Sequence, residues 1–344
     1  MREYRYHFIA GLLLITLLTG AFITSGRRLA IRDMIDEAGR NREPIVAASF
    51  FSLPEGRADC VIASLDHEPV PLMIRGMPGW LRQLFFSDSG VLRFAKDYEG
   101  ERCTTLWDIA LPDIHVGPAV NVRSYRSIAG RGSGRFPCEM SSRFVHFSAK
   151  VYPNCVVLDL VTGDTASYVF DDAPNWFRNQ YFDRMKQDGG HYVLSPDGTV
   201  LIVETCDHRG VQVLTRCDLA EKKWSNIIRI EGLRSYDVGP EGKIIALNLS
   251  RNGPNEMIFI DAHGHPLHTI WGMHSAVIGD RWIACRESGE LGGIVVIDTE
   301  ENWRERRLGL KLPDRRTDVA MYEPPHGGVR EMLAMRASEG ELRD

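Results

Sequence analysis

The chain has 344 residues, of which 44% are hydrophobic and 25% are charged, a composition typical of a globular protein with a sizeable core. This length fits one large all-β domain or two smaller ones. The formal net charge of -5, without a long basic run, gives no broad attraction to nucleic acid, so DNA or RNA binding is not expected.

The N-terminal part of the chain predicts a membrane segment. Residues 1–7 form a short tail, and residues 8–24 form an uncharged apolar run at the lower length limit for a helix that spans a bilayer. A secretory signal peptide has a similar pattern, but the only weak cleavage site here is Thr19-Gly20-Ala21. We therefore predict an uncleaved single-pass anchor in preference to a signal segment.

The charges around this run do not decide its orientation. Arg2 and Arg5 precede the run, whereas Arg27, Arg28 and Arg32 follow it closely. We expect the body of the protein outside the cytoplasm, because short N-terminal anchors most often deliver a soluble domain across the membrane. Residues 25–43 predict a juxtamembrane helix or linker, with a basic patch that touches lipid head groups and a solvated spacer as alternatives.

The cysteines give no sign of a metal or redox motif. Seven are present and none forms a C-x-x-C pair, which excludes the common zinc and thioredoxin-like patterns. Most lie in apolar runs and are interpreted as buried thiols. Cys206 and Cys217, which flank a predicted hairpin, are the least implausible disulfide pair, although the odd total argues mildly against an oxidising compartment.

Beyond about residue 44, short apolar runs alternate with turns rich in Gly, Pro, Asp and Asn, as expected of an all-β protein. The clearest unit runs from Tyr192 to Glu204, where a Ser-Pro-Asp-Gly turn joins two apolar strands. Related turns occur at residues 87–90, 239–242 and 278–280. The pattern predicts a repeated structural unit.

A third predicted strand of each unit ends in or near an apolar residue followed by Asp. The members of this set are Asp108, Asp159, Asp218, Asp261 and Asp298. A turn and a fourth strand follow, and the whole unit recurs about every 40 to 50 residues, which is typical of a β-propeller blade. Because one Asp recurs in each unit, we interpret these residues as turn caps rather than catalytic carboxylates.

Two of the units resemble known propeller repeats. Residues 85–90 through Leu106-Trp107-Asp108-Ile109 are similar to a WD-repeat blade, and Tyr192 to Glu204 is similar to the blade of the Tol-system propeller. The resemblance extends over most of residues 80–310 through the turn and the apolar-Asp ending. It implies the fold and transfers no functional residues.

The units predict a single propeller domain over residues 44–344. Five units lie between residues 81 and 310, and the segments 318–322 and 329–335 predict two strands of another. Segments 44–51 and 60–65 are candidates for its missing strands, because propellers commonly close with a strand from one terminus. We predict an all-β propeller of six or seven four-stranded blades, with seven slightly preferred.

The sequence offers no catalytic, metal-binding or cofactor-binding motif. The Gly-rich loop at residues 127–135 lacks the spacing of a phosphate-binding loop, and Ser195 is interpreted as a turn residue. His263, His265 and His268 have no spacing that would bring them together on a metal. No catalytic residue, metal or cofactor is therefore predicted.

An aromatic insertion at residues 171–190 is the candidate partner-binding site. It is predicted to contain a short helix, and its aromatic residues are Trp176, Phe177, Tyr181 and Phe182. The alternative is that they fix the insertion to the propeller face.

We predict a membrane-anchored, non-catalytic propeller that binds another protein. The alternatives are a lactonase- or glycosidase-like propeller hydrolase, and a small-molecule or glycan sensor that uses the central channel.

Overall fold

The computed structural model describes most of the chain after the apolar N-terminal run. The described residues are 23–52, 57–78, 81–87, 89–96, 106–120, 138–140, 144–148, 154–159, 165–169, 173–179, 191–250, 255–289, 292–310, 312 and 318–341. The predicted anchor at residues 8–24 lies outside them except for its last two residues. Within the described residues, no helix combines the length and the apolar character needed to cross a membrane.

The strands cover the chain from residue 45 to residue 322. In chain order they are β1 (Ile45–Ser52), β2 (Arg57–Ser64), β3 (Val70–Pro78), β4 (Leu81–Phe86), β5 (Val91–Lys96), β6 (Leu106–Ala110), β7 (His115–Val120), β8 (Cys138–Met140), β9 (Phe144–Ser148), β10 (Asn154–Asp159), β11 (Thr165–Val169), β12 (His191–Leu194), β13 (Val200–Cys206), β14 (Gln212–Asp218), β15 (Lys223–Ile230), β16 (Leu233–Val238), β17 (Ile244–Leu249), β18 (Glu256–Asp261), β19 (Pro266–Trp271), β20 (Met273–Ile278), β21 (Trp282–Glu287), β22 (Ile294–Asp298), β23 (Arg304–Leu308) and β24 (Asp318–Tyr322).

These strands form six four-stranded antiparallel sheets in the part of the chain that the structure describes. Blade 1 has the order β24-β1-β2-β3, and blades 2 to 6 are β4 to β7, β8 to β11, β12 to β15, β16 to β19 and β20 to β23. The first strand of each sheet lies at the centre, where β4 contacts β24 and β8, and β16 contacts β12 and β20. Every described strand belongs to one of these six blades, so the slight preference for seven blades is not supported.

The predicted closure by a terminal strand is confirmed in blade 1. The C-terminal strand β24 pairs antiparallel with β1, with Ile45 opposite Tyr322 and Ser49 opposite Asp318. The predicted strands at residues 44–51 and 60–65 correspond to β1 and β2 of the same sheet. One blade is therefore built from both ends of the described chain, which closes the ring and covers what would otherwise be two exposed sheet edges.

The repeated turn has the same hydrogen bonds in blades 2 and 4. In blade 4, the Val200 amide donates to Ser195 Oγ at 3.0 Å, and the Gly198 amide donates to the Ser195 carbonyl at 2.9 Å. In blade 2, the Val91 amide donates to Ser87 Oγ at 3.1 Å in the same way. Gly198 has a φ of 73°, a conformation that glycine adopts without a Cβ clash. Ser195 is thus a turn residue, as predicted.

Three α-helices accompany the blades in the described residues. Helix α1 covers residues 23–41, α2 covers residues 175–179 and α3 is Gly328–Glu341. The predicted strand at 329–335 is therefore wrong, because Val329 and Met332 are three positions apart on one buried helix face. The first turn of α3 is fixed by the Val329 amide, which donates to Asp36 Oδ1 of α1 at 2.8 Å.

Helix α1 is part of the packed domain. Its buried residues Ile31, Met34, Ile35 and Ala38 join one apolar cluster with Val329 and Met332 of α3 and with residues of blades 1 and 2. Leu29 of the same helix is exposed. A helix is present in the segment 25–43, and it packs against the propeller rather than forming a solvated spacer.

The remaining core lies between neighbouring blades. Clusters join blade 4 to blade 5, blade 5 to blade 6, and blade 6 to blade 1. Cys206 and Cys217 are both buried thiols that form no disulfide, so the pairing considered for them is wrong. The reason is their register, since Cys206 lies opposite Gln212 and Cys217 lies opposite Leu201, at different ends of the hairpin.

Candidate functional site

The recurring Asp residues are structural in the blades where their side chains are described. Asp218, Asp261 and Asp298 each accept two backbone amides of the turn that follows, at distances between 2.8 and 3.3 Å. Asp108 instead binds the buried Arg93 through two hydrogen bonds of 2.5 and 2.8 Å. The side chain of Asp159 lies outside the described part of the chain. The turn-cap interpretation is thus confirmed for three of the five residues.

Asp298 combines the turn cap with an ion pair. The Arg281 guanidinium donates to both carboxylate oxygens of Asp298, at 3.0 and 2.5 Å. Burial by itself would raise the pKa of Asp298, but the hydrogen bonds from Arg281, Glu300 and Glu301 outweigh it and hold the pKa below its usual range. The carboxylate is therefore charged, and both of its oxygens accept hydrogen bonds from the protein, as expected of a structural residue.

The three histidines of blade 5 have two different surroundings: the rings of His263 and His265 lie 6.2 Å apart, whereas His268 contacts blade 6. His265 lies 2.9 Å from Asp261, and its amide and ring hold the pKa of Asp261 at about 2. His268 stacks on Trp303 of blade 6, with ring centroids 5.1 Å apart, and lies 3.4 Å from Glu305. In the described parts of the chain, no group of three or more His, Cys, Asp or Glu side chains is arranged to hold a metal ion.

The central channel contains a cavity of about 520 Å³. Its wall is mostly apolar and includes Phe85, Val193, Val277 and Met321 from the first strands of four blades. Its end is formed by turns that follow the first strands of blades 4, 5 and 6, which contribute Pro196, Pro240 and Asp280, and by Met335 of α3. The repeated turns found in the sequence thus form the rim of one channel end.

Two carboxylates of this cavity hold adjacent blades together. Asp237 accepts the amide of Ala276 at 3.0 Å, and Glu323 accepts the amide of Trp282 at 3.2 Å. The protein atoms packed around Glu323 leave its carboxylate less hydrated, which raises its pKa, although part of the side chain is exposed. The hydrogen bonds from the amides of Trp282 and Arg281 oppose that rise. Both carboxylates have backbone partners that a structural role explains.

The predicted aromatic site is only partly described. Phe177 of α2 is completely buried against Trp224 of blade 4, with ring centroids 4.2 Å apart. Trp176 meets Phe177 edge-on and remains 37% exposed. Tyr181 and Phe182 lie outside the described residues. Phe177 therefore attaches the insertion to blade 4, whereas partner binding through these four residues stays a prediction.

An apolar groove lies between blades 4 and 5 on the outside of the ring, and the sequence did not predict it. The groove encloses about 530 Å³, and its lining includes the charged residues Arg229 and Glu231. Its apolar lining residues are Val211, Ile228, Ile230, Leu247, Leu249, Ile258 and Ile260. Four of them, Ile230, Leu247, Leu249 and Ile260, are buried between the blades. Ile228 and Ile258 are only partly buried, so the floor between the two sheets is open to solvent. We call this feature the outer groove.

Exposed residues of β19 extend one wall of the outer groove. Register places Trp271 opposite Glu256 and Thr269 opposite Ile258, so these side chains lie on the face that looks towards blade 4. Trp271 is 57% exposed and Leu267, at the bulge of the same strand, is 42% exposed. Trp271 is therefore a large, exposed aromatic side chain on the same face of blade 5 as Ile258, and exposed aromatic side chains are common at binding surfaces.

The sheets, their closure and the central channel together define a β-propeller. Among solved structures, TolB from Acinetobacter baumannii is similar, with a TM-score of 0.50 and 14% sequence identity over 82% of this chain and 66% of that chain. The present chain therefore spans about two thirds of the length of that structure. The likeness supports the Tol-type propeller fold that the Tyr192 to Glu204 unit indicated.

A nidogen/laminin complex structure is also similar, with a TM-score of 0.48 and 8% identity over 82% of this chain and 99% of that chain. No family model matches the chain, and no curated protein matches it in sequence. At these identities the structural likeness establishes the fold alone.

Proposed function

We propose that this propeller is a protein-interaction module that binds an extended segment of another protein in the outer groove. The observation that carries the proposal is the pair of partly exposed isoleucines, Ile228 and Ile258, with the exposed Trp271 on the same face of blade 5 as Ile258. Hydrophobic floors with aromatic side chains at their edge provide most of the binding energy in protein interfaces. The carboxylates described above act as turn caps and blade links, which leaves the groove as the better candidate site.

Site-specific cross-linking in cells tests this proposal. With a photo-reactive amino acid at the exposed Thr269, on the groove wall, we expect a discrete cross-linked species with another protein. The same group at Glu300, an exposed turn of blade 6, is the matched control and should give no such species. Adding W271A and L267A should weaken the Thr269 cross-link about fivefold or more, because truncating hot-spot side chains costs more than 1 kcal/mol.

Three results would contradict the proposal. These are equal cross-linking from both positions, cross-linking that persists unchanged in the W271A/L267A variant, and a product of twice the chain mass that also forms with purified protein. The last result would identify a second copy as the occupant. Because Trp271 and Leu267 are exposed, their substitution should change stability by no more than about 0.5 kcal/mol, so loss of folding would not explain a loss of cross-linking.

We also propose that residues 8–24 anchor the module in a membrane as a single pass, with the propeller outside the cytoplasm. The support is the uncharged apolar run and its continuation into α1, which packs directly on blades 1 and 2. Alkaline phosphatase fused after residue 344 should be active, because it folds only outside the reducing cytoplasm. Activity of a cytoplasmic reporter alone at that position, with an inactive phosphatase fusion, would show the opposite orientation.

A further inference from the structure

We propose that the exposed first part of helix α1 contacts the membrane surface, where Arg28 and Arg32 bind anionic lipid head groups and Leu29 lies against the lipid. This inference rests on the membrane anchor proposed above. It adds which part of the folded domain meets the membrane and which class of lipid that part prefers. We call Arg28, Leu29 and Arg32 the arginine patch.

The position of the patch in the chain places it next to the bilayer. The apolar run ends at residue 24, and α1 is helical from residue 23, the first residue that the structure describes. At a rise of about 1.5 Å per residue, Arg28 lies about 6 Å beyond the end of the run. The head-group layer on each side of a bilayer is about 5–7 Å thick. With residues 8–24 in the bilayer, the backbone of Arg28 therefore lies within this layer.

The side chain of Arg32 reaches the same layer from slightly farther away. Its backbone lies about 12 Å beyond the end of the apolar run. Side chains on a helix lean towards the N-terminus, which for α1 is the side of the membrane segment. Arginine also carries its guanidinium on a long apolar stem, and near the end of a membrane segment this group moves to the level of the head groups. Arg32 therefore meets the lipid phosphates together with Arg28.

The three residues of the patch form one exposed surface at the start of the folded domain. Arg28 and Arg32 are four residues apart and Leu29 and Arg32 are three apart, so they are neighbours on the helix. Both arginines are exposed, and Leu29 is 60% exposed. Ile31 of the same helix is already completely buried in the propeller core. The domain therefore begins at the patch, without a spacer between the patch and the core.

The charges of the patch favour anionic lipid over neutral lipid. Within the part of the chain that the structure describes, neither Arg28 nor Arg32 has an ion pair with a carboxylate. Two like charges four residues apart on a helix repel each other in water. Anionic head groups that lie between the two guanidinium groups remove this repulsion, and each arginine near a membrane surface strengthens the attraction to anionic lipid.

The sign of the charge changes along α1 directly after the patch. Asp33, Asp36 and Glu37 follow Arg32 in the sequence. Asp36 accepts the amide of Val329 at 2.8 Å, and Glu37 lies 3.2 Å from His67, so these two carboxylates are directed to the propeller. Asp33 is exposed, about 13 Å beyond the apolar run. Positive charge thus lies on the membrane side of α1 and negative charge on the propeller side, as an anionic surface requires.

Photo-cross-linking of the full chain in lipid nanodiscs tests the arginine patch. The nanodiscs contain equal parts of phosphatidylcholine and phosphatidylglycerol, and a photo-reactive amino acid replaces Leu29. We expect lipid adducts, identified by mass spectrometry, with about fivefold more phosphatidylglycerol than phosphatidylcholine at low salt. In the R28Q/R32Q variant this preference should fall to about twofold or less.

A second position on the same helix is the matched control. Arg40 is exposed near the end of α1, about 24 Å beyond the apolar run, so the photo-reactive amino acid in its place should give no lipid adduct. The R28Q/R32Q substitutions change two exposed side chains and should leave the midpoint of urea unfolding unchanged. A loss of lipid preference in that variant would therefore not reflect a loss of folding.

The results separate this inference from the anchor on which it rests. A chain that the nanodiscs do not retain would overturn both the anchor and the patch. A retained chain that gives no lipid adduct from position 29, or equal adducts from positions 29 and 40, would leave the anchor in place and overturn the patch. Equal yields of the two lipids, or a preference for phosphatidylglycerol that persists in R28Q/R32Q, would overturn the assignment of anionic lipid to these arginines.

Discussion

A chain that ends after residue 317 should not fold cooperatively. This truncation removes β24, which pairs with five residues of β1, and α3, whose Val329 and Met332 lie in the core of blades 1 and 2. Each such buried side chain contributes about 1.5–3 kcal/mol, so the loss is comparable with the whole stability of a domain. Urea unfolding followed by tryptophan fluorescence should show no sigmoidal transition.

Two matched chains separate the strand from the helix. Ending the chain after Glu341 should leave the transition unchanged, whereas ending it after residue 327 keeps β24 and should lower the free energy of unfolding without abolishing cooperativity. Co-expression of residues 318–344 as a separate chain should restore folding of the short form, because β24 can pair with β1 without a covalent link. A cooperative transition at the normal midpoint for the 317-residue chain would refute the closure.

The blade unit could be predicted from the sequence because its signals are local. The turn of blade 4 depends on Ser195 and Gly198, which lie three residues apart, and its copy at Ser87 and Gly90 has the same spacing. The Asp residues that end the third strands cap the turns directly after them. Residues that act on their own neighbourhood leave a repeated pattern, and this pattern was sufficient for the fold class.

The predictions that were wrong concern elements whose contacting residues are distant in the chain. Helix α3 begins at Gly328, and the side chain that binds the amide of its second residue, Val329, is that of Asp36, 293 positions earlier. No local capping residue therefore marked the helix, and its apolar residues resembled a strand. The blade count was uncertain for the same reason, since blade 1 combines β24 with β1, which begin near opposite ends of the chain.

The outer groove could not be predicted because its walls belong to different blades. Ile228 and Ile258 are ordinary apolar strand residues in the sequence, and only the packing of blade 4 on blade 5 leaves both partly exposed. The one available signal was Trp271 at the end of β19, an aromatic residue on an outer strand. The sequence instead indicated the aromatic residues of the insertion, because they lie close together in the chain, but Phe177 is buried.

Substitution of Asp298 by alanine should lower the free energy of unfolding by about 3 kcal/mol, the lower end of the range for breaking a buried ion pair. Asp298 is almost completely buried, binds Arg281 through both oxygens and accepts two turn amides. The cost stays near the lower end because Arg281 is partly exposed and keeps Glu300 within 3.5 Å. Urea unfolding at neutral pH gives this difference directly.

The pH dependence of this loss distinguishes the charged pair from simple packing. Because the native pKa of Asp298 is lowered, its carboxylate stabilises the fold above its ordinary pKa, and this contribution disappears as the pH falls through the native pKa. The difference between the D298A variant and the unchanged chain should therefore shrink below about pH 4. D218A is the control, since Asp218 caps the corresponding turn of blade 4 through two amides and should cost about 1 kcal/mol. Equal losses for the two variants, or a D298A loss that is constant with pH, would show that the Arg281 pair contributes nothing beyond the cap.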